Sequence, residues 1–247
     1  MSSAPSFLDH VFVINLDSRA DRWAEMQRQF ARFGIVDARR FPAIRPGLEI
    51  VERDELARLH TFLRYTDGDS PSLANKVRAT WGCMQSHLGA IRQAQEAGLP
   101  YALILEDDCV FEPYTLPVLR QVERQLQGVE WDLLYLGGTL KKGGRRSRFS
   151  ANLKRVSRVR LAHAYVVHAR LFSRILAEAS RSGLPLDWYY SENLQPEVAT
   201  FMVSPTLANQ RLNDLSDIEA VSRQPKLKFR KALVRCWSRI RYWSHLC

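Results

Sequence analysis

Apolar residues along this chain follow two rhythms. Short unbroken runs rich in β-branched and aromatic residues, at 10–16 (HVFVINL), 101–105 (YALIL), 131–136 (WDLLYL), 163–168 (HAYVVH) and 198–203 (VATFMV), predict strands. Between them lie stretches in which large apolar residues recur every three or four positions: Trp23, Met26, Phe30 and Phe33 within 19–33, and Met84, Leu88 and Ile91 within 82–97. That spacing puts them on one helical face. Gly34 and Gly98 close these two helices, and 114–126 and 170–181 predict two more. Residues 41–44 (FPAI) predict a further strand and 66–72 (TDGDSPS) an exposed loop. Strands alternating with helices imply an α/β fold, a mostly parallel sheet flanked by helices, with no internal repeat.

Length and composition fit one globular domain, expected over residues 1–222: 247 residues, 46% apolar and 25% charged. The net charge of +10 is unevenly spread. Residues 141–160 and 223–247 together hold 17 of the 36 Lys and Arg and none of the 26 acids, so the remainder is net acidic. A protein that coats nucleic acid spreads its charge along the fold and carries recognisable motifs, so that class is excluded. The first stretch reads as a mobile basic loop. In the second, Phe229, Leu233, Cys236, Trp237, Ile240, Trp243 and Cys247 are spaced by one to four and Lys228, Lys231, Arg235 and Arg239 fall opposite, the pattern of a basic amphipathic helix. An anionic membrane surface is its expected partner; packing on its own domain is the alternative.

No apolar run approaches the ~20 residues needed to span a bilayer, and the opening MSSAPSFLDH lacks the features of a secretory signal. The expected location is cytoplasmic, peripheral at the inner face of the membrane. Cys83, Cys109, Cys236 and Cys247 show no CxxC spacing, so neither a zinc knuckle nor a disulfide framework is indicated and a reducing compartment is expected.

The run 101–105 ends in Glu106-Asp107-Asp108. Ligands of α/β sheets bind beyond the carboxyl ends of strands, and adjacent carboxylates in a shared pocket need a cation to stay ionised. Hard oxygen ligands suit Mn2+ or Mg2+, which share their remaining positions with water and phosphates. An exposed acidic turn is the plain alternative. There is no GxxxxGK[ST], and no GxGxxG follows the first strand, so phosphates would be held by metal, by helix-terminal N–H groups or by arginines such as Arg19 and Arg22, one of which is expected to be solvated.

Several motifs then occur together in order. Asn15-Leu16 with Arg19 and Arg22, Gly82-Cys83-Met84-Gln85-Ser86-His87 (GCxxSH), Leu105-Glu106-Asp107-Asp108 (LEDD), Trp131-Asp132 through Gly137, His163-Ala164-Tyr165, Pro185-Leu186-Asp187, and Gln210 with Ser216-Asp217-Ile218 cover roughly residues 10–220. The chain resembles the family 25 glycosyltransferases, which include lipooligosaccharide and collagen galactosyltransferases; Pro-Leu-Asp stands where their pattern has Pro-Val-Asp. The resemblance implies a GT-A-type nucleotide-binding fold and an inverting, metal-assisted transfer of galactose from a UDP-sugar to a saccharide or glycolipid acceptor. Glu106 and Asp108 would hold the metal. Asn15, Arg19, Arg22, Glu106, Asp107, His163 and Asp217 would meet the donor, Asp217 alternatively the metal.

The general base is expected at Asp187, beside aromatic residues that desolvate it, or at the nearby Glu192; Asp187 reads equally well as a helix N-cap. Cys83 and His87, four apart on one helix, read either as a two-ligand soft-metal pair or, better, with His87 as a histidine that orients the acidic loop. A non-catalytic binding protein on the same fold is the alternative function, against which the intact acid triplet argues.

Overall fold

The computed structural model describes residues 6–47, 49 and 56–211. The expected tail helix at 223–247 and Asp217 lie outside the described residues. In chain order come β1 (Val11–Asn15), α1 (Ala20–Phe33), β2 (Arg39–Pro42), α2 (Ala57–Asp67), α3 (Leu73–Glu96), β3 (Tyr101–Glu106), β4 (Cys109–Phe111) and α4 (Thr115–Gln125). Then follow β5 (Leu133–Tyr135), β6 (Thr139–Leu140), β7 (Arg146–Arg148), β8 (Leu153–Val156), β9 (Val159–Arg160), β10 (Ala164–His168), α5 (Phe172–Glu178), α6 (Leu186–Tyr189) with a π-helical turn at Tyr190–Leu194, β11 (Thr200–Val203) and β12 (Ala208–Gln210).

The central sheet has eight strands in the order β2-β1-β3-β10-β5-β11-β8-β7. It is mixed but largely parallel in direction. β1 runs parallel to β2 and β3, and β5 to β11, whereas β10 is antiparallel to both its neighbours and β8 to both of its own. Only β10 and β8 therefore run against the rest. The apolar runs are continuous because both sheet faces are covered. Val11, Val13, Leu103 and Leu105 pack toward α1 and α4, while Phe12, Ile14, Ala102 and Ile104 pack toward α3, α5 and α6.

Two expectations are corrected. The basic segment 141–160 is not a mobile loop: β7 and β8 form an antiparallel hairpin on the sheet edge, and β9 pairs with β6. Leu153, Val156 and Val159 are buried beneath it, so the charges are the outer face of a strand pair. The helix expected from 82 begins at Leu73, and α2, unpredicted, packs on its first turns through Leu59, Leu63, Leu73 and Val77.

Candidate functional site

Side chains on a strand alternate between its faces, and at the end of β3 this parts the acid triplet. Asp107 turns toward α1. There Arg22 Nη1 donates to Asp107 Oδ1 at 3.0 Å, and Asn15 Nδ2 donates to Oδ2 at 2.8 Å. Both charged partners are buried, Arg22 at 6% exposure and Asp107 at 7%. Arg40 Nε donates to Asn15 Oδ1 at 2.8 Å, which fixes the amide's orientation. Asn15, Arg22 and Asp107, all expected at the donor, thus form a buried brace between β1, α1 and the β3–β4 turn. Burial still lifts Asp107 above its usual range, offset in part by Asn15 and Arg22.

Glu106 turns the other way, toward α3. The GCMQSH segment explains how that helix comes so close. A Cβ on Gly82 would stand 2.4 Å from the Ile44 carbonyl oxygen, so only glycine admits the 43–46 segment there. Ser86 fastens it: the Ile44 N–H donates to Ser86 Oγ at 2.8 Å, and that hydroxyl donates to the Gly82 carbonyl at 2.7 Å. One residue round from each, Cys83 and His87 face Glu106, with His87 Nε2 3.4 Å from Glu106 Oε1. The Cys83 sulfur, the His87 nitrogen and the Glu106 oxygen all lie within 4.8 Å of one another. His87 Nδ1 is 3.1 Å from Tyr165 Oη, which is 3.2 Å from Tyr190 Oη, so a buried polar chain runs beneath the acid.

Burial raises the Glu106 pKa, but His87 and then the field of His163 and a contact from Gln210 outweigh it and leave the carboxyl below its usual range. His163 lies beside Glu106: its carbonyl accepts the Glu106 N–H at 2.9 Å and its Nε2 donates to the Ala208 carbonyl at 3.3 Å. Gly137 lies against the same place, where a Cβ would stand 2.1 Å from the Ala208 carbonyl oxygen and 2.5 Å from His163 Nε2.

Asp187 comes from α6. Pro185, not Asp187, holds the N-cap position, and no side chain caps the helix, which corrects the capping alternative. The Asp187 carboxylate instead accepts the Leu161 N–H at 3.3 Å. Burial pushes its pKa up, with Leu161 and Arg160 opposing and the charge on Glu106 adding to the rise. Burial acts in the same sense on Glu192, but hydrogen bonds from Ser191, Arg160 and Arg158 prevail and hold it low. Arg158 and Arg160 reach Glu192 at 2.9 and 3.0 Å. Arg160 also covers Trp188, its guanidinium carbon 3.1 Å from the ring centroid.

Burial raises the Cys83 thiol far above its ordinary pKa, and Glu106, Asp187 and Asp108 add to the rise in that order. Glu106, Asp187 and Asp108, from two distant segments, thus all lie near enough to Cys83 for their charges to act on its thiol. Glu106 and Asp108 offer hard oxygens for a divalent ion, and the Glu106 side chain retains 27% exposure. Arg19 lies at the rim, paired with Asp21 at 2.9 Å. Cys83 and His87 do face one acid, Glu106, which the sequence does not link to them; Gln210 carries no role in the sequence reading, and Arg158 and Arg160 stand there only as members of the basic stretch.

The sequence profile described as "Glycosyltransferase family 25 (LPS biosynthesis protein)" matches residues 8–211. A "Glycosyltransferase 25 family member" of Drosophila melanogaster is 33% identical over 133 residues, covering 53% of this chain and 21% of the relative. "Procollagen galactosyltransferase 1" of Danio rerio is 26% identical over 185 residues, 72% of this chain and 30% of the relative. The matched part thus spans no more than about a third of the length of these relatives. A solved structure titled mannose-1-phosphate geranyltransferase, from Thermus thermophilus, overlays 78% of this chain and 73% of its own at TM-score 0.34 and 12% identity.

Proposed function

The chain belongs to glycosyltransferase family 25, and on that footing we propose that it transfers galactose from UDP-galactose to a hydroxyl of a saccharide acceptor, with inversion at the anomeric carbon. The name of the procollagen galactosyltransferase relative supports galactose, and the family description supports an acceptor on a lipopolysaccharide or lipooligosaccharide. The observation that carries the reading is that the end of β3 and the start of α6 meet at residues 161–163, where the Glu106 N–H donates to the His163 carbonyl and the Asp187 carboxylate accepts the Leu161 N–H.

Glu106 and Asp108 fit a hard divalent ion, Mn2+ or Mg2+, by the chemistry of their donor set. Such an ion, when bound, offsets the charge that grows on the departing diphosphate. Asp187 is the base. Its raised pKa makes it a better proton acceptor than an ordinary carboxylate, and the Leu161 N–H fixes the oxygen that does not take the proton. Glu192, paired with two arginines, stays ionised and holds Arg160 flat on Trp188 beside the base. His87 above all, with His163 and Gln210, favours the ionised form of Glu106. The Asn15, Arg22 and Asp107 brace holds the turn that carries Asp108, and Arg19 is the arginine that meets the donor from the rim. Asp217 is assigned to the donor or the ion.

The basic tail, residues 223–247, is proposed to hold the enzyme at the inner face of the cytoplasmic membrane, each basic residue contributing about 1 kcal/mol at an anionic surface. Among the described residues no helix is long and apolar enough to cross a membrane. The test of the activity is a screen of nucleotide sugars for Mn-dependent UDP release with saccharide acceptors. Turnover of UDP-galactose that is lost in Asp108→Ala supports the reading, and equal activity in that variant overturns it.

A further inference from the structure

We propose that Cys83, His87 and Glu106 form a site for a borderline-soft divalent cation, zinc above all, beside the position assigned to the hard ion. The three ligand atoms lie within 4.8 Å of one another, and the i, i+4 spacing on α3 presents the sulfur and the imidazole from one helical face. His87 is wholly buried. Its Nε2 makes no hydrogen bond, yet it points at Glu106 Oε1 across 3.4 Å.

That separation is too long for a charge-assisted hydrogen bond, which closes to about 2.7–2.9 Å. It matches the edge of a coordination tetrahedron, where metal–nitrogen and metal–oxygen bonds of about 2.0–2.1 Å place neighbouring ligand atoms about 3.4 Å apart. The surroundings of the imidazole also fit a ligand. A metal-bound histidine engages its other ring nitrogen in a hydrogen bond that fixes the ring. Here Nδ1 meets Tyr165 Oη at 3.1 Å, and Tyr190 steadies that hydroxyl in turn.

A proton shared by His87 and Glu106 would occupy two of the three groups and leave the thiol idle, whereas a metal uses all three. A thiolate, an imidazole and one carboxylate are softer than the oxygen set of Glu106 and Asp108, which selects zinc over manganese or magnesium. The fourth position stays open to water. On binding, the S–H bond of Cys83 breaks, a metal–sulfur bond forms and the proton passes to the buffer, with no change of oxidation state. Glu106 is common to both positions, so zinc competes with the hard ion. That consequence rests on the proposed transferase reading; the site itself does not.

The full chain, stripped of metal, is titrated with Co2+ as a spectroscopic substitute. The expected result is a thiolate-to-cobalt charge-transfer band that saturates at one equivalent, is bleached by Zn2+ and is lost in Cys83→Ser. Tyr165→Phe is expected to weaken zinc binding about tenfold. A measurement on the unaltered protein guards against misfolded variants: zinc should slow alkylation of Cys83 by iodoacetamide, read by peptide mass spectrometry, by about tenfold or more. Absence of the band, its persistence in Cys83→Ser, or alkylation of Cys83 at the same rate with and without zinc overturns the site. None of these readouts requires glycosyl transfer.

Discussion

On the α1 side of the β3 terminus, Asp107 meets one guanidinium and one amide and nearly vanishes from solvent; on the α3 side, Glu106 meets an imidazole and a thiol and stays partly exposed. The two acids are neighbours in sequence and of similar chemistry. What separates them is strand alternation, which hands one to Arg22 and the other to His87. The first side is finished, its charges matched within the protein. The second sets its acid beside an imidazole and a thiol, groups that can also serve a cation. The same contrast recurs between Asp187, pushed up by burial, and Glu192, held low by hydroxyl and arginine partners despite burial.

Substitutions should break the two sides differently. On the open side, Asp108→Asn is expected to lower kcat about a thousandfold with little change in melting temperature, read by UDP release alongside calorimetry. On the closed side the order reverses. Arg22→Ala leaves Asp107 buried without its guanidinium and should cost about 3–5 kcal/mol in urea unfolding. Asp107→Asn in that background should recover much of the loss; a loss that persists would show that the brace acts through packing and not through charge.

Gly82→Ala tests the approach that brings α3 to the open side. A Cβ there meets backbone, which cannot swing aside, so about 1–3 kcal/mol of destabilisation is expected from equilibrium unfolding. The smallest effects concern pH. Asp187 has a raised pKa, so the stability it contributes is present while it is protonated and is lost as pH rises through that raised value. Asp187→Asn should therefore melt higher than wild type at neutral pH. Glu192 has a lowered pKa, so its contribution is present above the usual glutamate value and is lost as pH falls through the lowered one. Glu192→Gln should flatten that acid-side loss and cost less than about 1 kcal/mol at neutral pH.

The strands are legible in the sequence because both faces of the sheet are covered and their apolar runs are unbroken, and LEDD falls at the end of β3 as its position after an apolar run implies. α2 escapes notice because only Leu59 and Leu63 of its residues are buried, too few for a clear period. The hairpin of β7 and β8 hides behind its arginines and lysines, its buried face reduced to Leu153 and Val156. The brace cannot be read at all: Arg22 and Asp107 are 85 positions apart, and nothing local to either names the other. GCxxSH is visible as a motif, but its division of labour, Gly82 and Ser86 for the 43–46 segment and Cys83 and His87 for Glu106, appears only in three dimensions.

The most direct test of the central claim is the initial rate of UDP release from UDP-galactose, with manganese and a saccharide acceptor, in wild type and in Asp187→Asn. The account predicts acceptor-dependent turnover by wild type and a rate at least about a hundredfold lower in the variant, with its far-UV circular dichroism unchanged. Turnover at the wild-type rate by Asp187→Asn would contradict it.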